Sequence, residues 1–229
     1  MRPDAIIFDF DGVLLESEYA GNAQIAAYLT RIGHPISTEE TMFRFMGLAS
    51  GALIEAIERW MGKPLPESFG TAREEEDARV LAEGLAAVAG AVEFIESLPP
   101  DLPRAIASSS SVEWIERHLD HLGLKRHFGG RIFSTRSDVA RGKPDPDIYL
   151  HAAAALGVDI ARTVIIEDSP VGATGALASG AEVIGLCAGS HCLPGHADRL
   201  RALGVRHVAA DFEEVAALLG LPFRARGRS

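Results

Sequence analysis

Two aspartates stand two residues apart in Phe8-Asp9-Phe10-Asp11-Gly12, directly after a short apolar run. A carboxylate can attack phosphorus and hold the phosphoryl group covalently. A second one nearby can give the leaving oxygen a proton and later take one from water. Asp9 is the candidate nucleophile and Asp11 the candidate general acid and base. Ser108, Ser109 and Ser110 follow a second apolar run, Lys143 stands in Gly142-Lys143-Pro144, and Glu167-Asp168-Ser169 closes another run. The Ser108 hydroxyl and the Lys143 ammonium suit the oxygens of a transferring phosphoryl group. So many carboxylates repel one another unless a cation neutralises them. An all-oxygen donor set of this kind suits Mg²⁺.

These residues can act together only if the fold brings them to one place. The run 5–10 reads as a buried strand, followed by a largely helical stretch with segments near 19–31, 38–46, 51–61 and 67–87. Beyond residue 90 the pattern alternates. Strands at 104–108, 131–134, 163–167 and 182–186 are interleaved with helices at 92–98, 112–122, 146–156, 170–179 and 211–219. This alternation predicts an α/β fold, a doubly wound parallel sheet of Rossmann-like type. A loop of about seventy residues without structure is improbable, so a small helical cap domain inserted after strand one is expected. The expected boundaries are 1–15 and 90–229 for the core and 16–89 for the cap. In such a sheet, ligands lie at the carboxyl ends of the strands, where Asp9, Asp11, Ser108, Lys143, Glu167 and Asp168 all stand.

Taken together the motifs resemble the haloacid dehalogenase-like superfamily, in the branch of β-phosphoglucomutases and small-metabolite phosphatases. Phe8-Asp9-Phe10-Asp11-Gly12-Val13-Leu14, Ser108-Ser109-Ser110, Gly142-Lys143-Pro144-Asp145-Pro146 and Glu167-Asp168-Ser169 carry the likeness, with Gly172, Ala173 and Gly180. The resemblance implies Asp9 as nucleophile and Asp11 as acid and base. It implies Asp9, Asp168 and the Asp11 carbonyl as ligands of Mg²⁺, with Glu167 ligating or supporting the metal. Ser108 and Lys143 are then phosphate ligands, and a four-helix cap closes over the substrate. Glu16-Ser17 stands where the family often has Asp-Ser. Gly21 and, after Gly47-Leu48-Ala49, Ser50 occupy places where phosphomutases carry a histidine and an arginine. Their absence favours a phosphatase acting on a sugar phosphate, sugar-acid phosphate or nucleotide over a phosphomutase.

Three other classes fit less well. A phospho-signalling receiver places its acceptor after a later strand, and the helical insertion does not suit it. A true dehalogenase needs neither Mg²⁺ nor an acid at position 11. A non-catalytic binding protein is expected to have lost a catalytic residue, and none is lost here.

The remaining features read more plainly. Ser109 and Ser110 fit substrate contact and capping equally, Ser169 fits a helix cap, and Asp145 and Asp147 fit turn and first-turn acids. Trp60 and Trp114 fit core or interface positions, and Arg44 a solvated helix face. Cys187, His191, Cys192 and His196 are spaced loosely like zinc ligands but match no tidy zinc-finger spacing, and read as a polar surface loop rather than a structural zinc site. Two cysteines in 229 residues are too few for a disulfide framework. With 22 basic against 32 acidic residues, a net charge of −10 disfavours nucleic acid as a partner. The basic tail Arg224-Ala225-Arg226-Gly227-Arg228-Ser229 reads as a frayed end. The chain shows neither a secretory signal nor a run of membrane-spanning length. A cytoplasmic enzyme, monomeric or a small homo-oligomer, is expected, with a small phosphorylated metabolite as partner and no membrane contact.

Overall fold

A computed structural model of the chain describes residues 2–46, 48 and 50–223. The cap-motif residues Gly47 and Ala49, the Ser50 side chain and the basic tail lie outside the described residues. The backbone falls into two compact units, 1–16 with 85–229, and 17–84.

The larger unit is built on one six-stranded sheet in the order β3-β2-β1-β4-β5-β6. Its strands are β1 (Ala5–Phe8), β2 (Arg104–Ser108), β3 (Ile132–Ser134), β4 (Thr163–Glu167), β5 (Glu182–Leu186) and β6 (His207–Ala209). Every neighbouring pair is parallel, and β1 lies between β2 and β4. Parallel strands covered on both faces read as continuous apolar runs, and Ala5, Ile6, Ile7 and Phe8 are all fully buried. Alternate residues serve opposite faces. Ile6, Phe8, Ile106 and Ile166 pack under α5 (Ala91–Ser97), α6 (Val112–His121), α7 (Lys125–Phe128) and α11 (Phe212–Leu219). Ile7, Ala107 and Ile165 face α8 (Asp147–Leu156), α9 (Pro170–Ala178) and α10 (His196–Ala202). On the first face Phe8 meets Phe94 and Phe128 edge-on, with ring centroids 6.3 and 6.0 Å apart.

The smaller unit holds α1 (Ser17–Arg31), α2 (Thr38–Phe45), α3 (Ser50–Met61) and α4 (Ser68–Glu83). Ile25, Tyr28, Leu29, Phe45, Ile57 and Phe69 give it a core of its own. Ser37 caps α2 by accepting from Glu40 N. Trp60 packs against Phe45, and Arg44 bonds Glu40 while its guanidinium lies 5.9 Å from the Trp60 ring centroid. No helix among the described residues is long and apolar enough to cross a membrane.

The sequence pattern omits α7, α10 and β6. These elements have four, seven and three residues. All are short, and tertiary packing rather than local pattern fixes them.

Candidate active site

Asp9 leaves the end of β1 with its amide donating to the Ile166 carbonyl at 2.9 Å. This bond continues the β1–β4 ladder and brings Asp9 beside Glu167 and Asp168. Ligand oxygens of Asp9, Glu167 and Asp168 lie within 4.8 Å of one another, and all three residues are buried. Lys143 Nζ reaches Asp9 Oδ1 and Glu167 Oε1, each at 2.6 Å. Tyr149 Oη also donates to Glu167 Oε1 at 2.6 Å, and Ser169 donates to Oε2 from its amide at 3.3 Å and its hydroxyl at 3.2 Å. Glu167 is thereby saturated with donors from its own unit, and its geometry suits holding Lys143 in place.

Backbone shape makes this crowding possible. Gly12 has φ +82°, and a Cβ there would stand 2.1 Å from Asp168 Oδ2. At Gly172 a Cβ would stand 2.0 Å from Glu167 Oε1, so only glycine lets α9 begin this close to the carboxylate. Ser169 caps α9 by accepting from Gly172 N at 3.0 Å.

Asp11 is held by another set of donors. Ser110 Oγ lies 2.6 Å and Ser108 Oγ 3.3 Å from its Oδ2, while Trp114 Nε1 donates to Oδ1 at 3.2 Å. Ser108 is buried and its hydroxyl also accepts from Ser110 N at 3.0 Å. Ser109 is exposed, and its carbonyl accepts from Arg136 Nε at 3.0 Å. The α6 cap is Ser111, accepting from Trp114 N, and neither Ser109 nor Ser110 fills that place. Trp114 was expected as a core or interface residue; its body packs against the core while its indole N–H turns to Asp11.

The region 187–196 departs furthest from expectation. It is not a polar surface loop, since His191 and His196 are 1% and 2% exposed. His191 Nε2 lies 2.7 Å from Asp168 Oδ2, and His196 Nε2 lies 2.6 Å from the Asp168 carbonyl. Ser190 N donates to both Glu16 oxygens at 3.1 Å, tying this loop to the segment after β1. The signal for it was available: β5 ends at the same sheet edge as the other strands, so its following loop also belongs to the crevice.

Burial pushes the Asp9 and Asp168 carboxyls well above the ordinary aspartate value of 3.8, and the neighbouring carboxylates push the same way. Lys143 opposes this in both and is outweighed. Burial works against the charge on Lys143 too, but Asp9 and Glu167 overcome it and hold the ammonium well above its usual value. A carboxyl raised by folding binds its proton more tightly in the native state. Stability is then full below 3.8 and declines as pH rises from there towards the raised values. In chelator, the two aspartates together lower stability with rising pH by up to about 1.4 kcal/mol per unit for each proton retained only by the fold. Denaturant melts from pH 4 to 7 should give a shallower decline for Asp9→Asn than for the unaltered chain. Equal slopes would contradict the electrostatic account.

The donor chemistry fits a hard divalent cation. It is all oxygen, and Asp168 Oδ1 is buried without a hydrogen-bond partner among the described residues.

The sequence profile of the haloacid dehalogenase-like hydrolases matches residues 3–180. The 6-phosphogluconate phosphatase of Escherichia coli K12 is 27% identical, over 84% of this chain and 86% of its own. The phosphorylated carbohydrates phosphatase of Thermotoga maritima is 34% identical, over 79% and 83%. A solved haloacid dehalogenase family hydrolase from Deinococcus radiodurans R1, with bound phosphate and sodium, aligns at TM-score 0.82 and 32% identity over 95% of each chain. With the motifs at the strand ends and a profile match over most of the chain, this protein belongs to the haloacid dehalogenase-like hydrolases.

Proposed function

We propose that this chain is a Mg²⁺-dependent phosphatase for small phosphorylated metabolites, sugar or sugar-acid phosphates foremost, working through an aspartyl-phosphate on Asp9. The observation that carries the reading is the buried Asp9 carboxylate, held by Lys143 beside Asp168 and two residues from an Asp11 locked in place by three donors. The phosphatases named above support the substrate class.

Asp9, Asp168 and the Asp11 carbonyl are the residues that would hold the cation, with Glu167 supporting through Lys143. When bound, Mg²⁺ neutralises the clustered carboxylates and draws in the phosphoryl oxygens. The oxygen of Asp9 not bonded to Lys143 attacks phosphorus, and the bond from phosphorus to the leaving oxygen breaks. Asp11 supplies the proton that this oxygen takes. In the second half, water attacks the phosphorus of phospho-Asp9 and gives its proton to Asp11, which frees phosphate and restores Asp9. Lys143 and the Ser108 hydroxyl stabilise charge on the phosphoryl oxygens. Burial and carboxylate neighbours hold Asp9 towards its protonated, non-nucleophilic form. A cation held by Asp9 and Asp168 would favour the Asp9 carboxylate, the form that attacks.

Trp114 and Ser110 act through Asp11 as positioning residues. Trp114→Phe removes one charge-assisted hydrogen bond and should lower kcat several-fold with KM unchanged, because orientation contributes only in the transition state. A rise in KM with kcat unchanged would contradict that role. The reading as a whole is tested by assaying phosphate release from a panel of sugar phosphates, sugar-acid phosphates and nucleotides. Phosphate release supports it, whereas isomerised substrate without released phosphate would make the chain a phosphomutase.

A further inference from the structure

The loop after β5 holds a second donor cluster that the phosphatase reading does not use. Cys187 Sγ, Cys192 Sγ and a ring nitrogen of His196 lie within 4.8 Å of one another. Both cysteines are half-buried free thiols, and His196 is buried. The loop that presents them is pinned at several points. Cys187 N donates to Ala209 O at 2.8 Å, Cys192 N to Gly189 O at 2.9 Å and His196 N to Leu193 O at 3.0 Å.

The state of His196 follows from its partners. Nε2 lies 2.6 Å from the Asp168 carbonyl, a contact that requires an N–H on Nε2. Nδ1 therefore carries the lone pair, and it accepts from Arg199 Nη2 at 3.3 Å. Arg199 is exposed and can turn into solvent. An imidazole donating one N–H to a backbone carbonyl while offering its other nitrogen is the usual arrangement of a metal-bound histidine.

We propose that Cys187, Cys192 and His196 form a site for a soft divalent cation, zinc foremost, distinct from the all-oxygen centre at Asp9 and Asp168. Two thiolates and one imidazole select zinc over magnesium. Three protein ligands leave a fourth coordination position for water. Each cysteine that binds as thiolate releases its proton to solvent. Asp168 joins the two centres: its carboxylate belongs to the acidic cluster and its carbonyl orients His196.

The test uses the full chain, reduced and stripped of metal, with Mg²⁺ in excess to occupy the acidic centre. Cobalt is added as the probe. A sulfur-to-cobalt charge-transfer band with tetrahedral visible bands is expected, lost on adding one equivalent of Zn²⁺ and lost in Cys192→Ser. Absence of the band in the unaltered chain, or an undiminished band in Cys192→Ser, overturns the proposal. Should Cys192→Ser fail to fold, alkylation of the unaltered chain decides. Zn²⁺ should slow modification of Cys187 and Cys192 together in the Mg²⁺-saturated protein, and an unchanged rate overturns the site. Recovery of the purified chain with a Cys187–Cys192 disulfide that persists in thiol reductant also counts against it.

Discussion

Asp9→Asn should release phosphate at least about 10⁴-fold more slowly than the unaltered chain on every substrate, since removing a nucleophile eliminates the covalent route and leaves only binding and electrostatics. The substitution is nearly isosteric. The bond from Asp9 N to Ile166 O involves only backbone, and Lys143 retains Glu167. The loss should therefore come with an intact fold, checked by circular dichroism and by melting. Activity within tenfold of the unaltered chain would remove Asp9 from the nucleophile's place.

Excess chelator should abolish turnover and added Mg²⁺ should restore it. Asp9 and Glu167 share one lysine beside Asp168, and burial raises the cost of charge on Asp9 and Asp168. A cation that binds only the folded chain also stabilises it, by about 2.7 kcal/mol at a hundred times its dissociation constant. Melting with and without Mg²⁺ should show this gain in the unaltered chain and a smaller one in Asp168→Asn, which loses the carboxylate whose Oδ1 has no hydrogen-bond partner among the described residues. Full activity in chelator, or equal stabilisation of both proteins, would contradict the cation's place at these residues.

Much of this was legible in the sequence because each element announces itself locally. β1, β2 and β4 are continuous apolar runs that end in polar residues, so the strand-end rule alone collects Asp9, Ser108, Glu167 and Asp168. The helical character of residues 17–84 is equally local. What stayed hidden depends on tertiary approach. The indole of Trp114 meets Asp11 across 103 positions of sequence, and Tyr149 meets Glu167 across 18. No periodicity encodes either pairing. The burial of His191 and His196 was hidden for another reason. A loop rich in Gly, Ser, His and Pro has the composition of a surface segment, yet Glu16 and the Asp168 carbonyl draw it inward.

Glu167 shows where spacing and geometry diverge. The sequence leaves Glu167 either ligating or supporting the metal beside Asp168. The structure separates them: Glu167 is filled by Lys143, Tyr149 and Ser169, and Asp168 keeps an open oxygen. Gly172, whose lack of a Cβ admits the Glu167 carboxylate, is the residue that allows the difference.

The central claim is a phosphoryl group carried on Asp9. Its most direct measurement is an acid quench of the enzyme turning over a sugar phosphate with Mg²⁺, followed by peptide mapping, in the unaltered chain and in Asp11→Asn. Asp11→Asn loses the acid of the first half and the base of the second, so the phosphorylated species should form slowly and, once formed, decay slowly. One phosphoryl group is expected on the peptide containing Asp9, acid-stable and base-labile, longer-lived after substrate is removed in Asp11→Asn and absent in Asp9→Asn. Phosphate release in full turnover with no modification of that peptide in either protein, or a modification elsewhere, would contradict it.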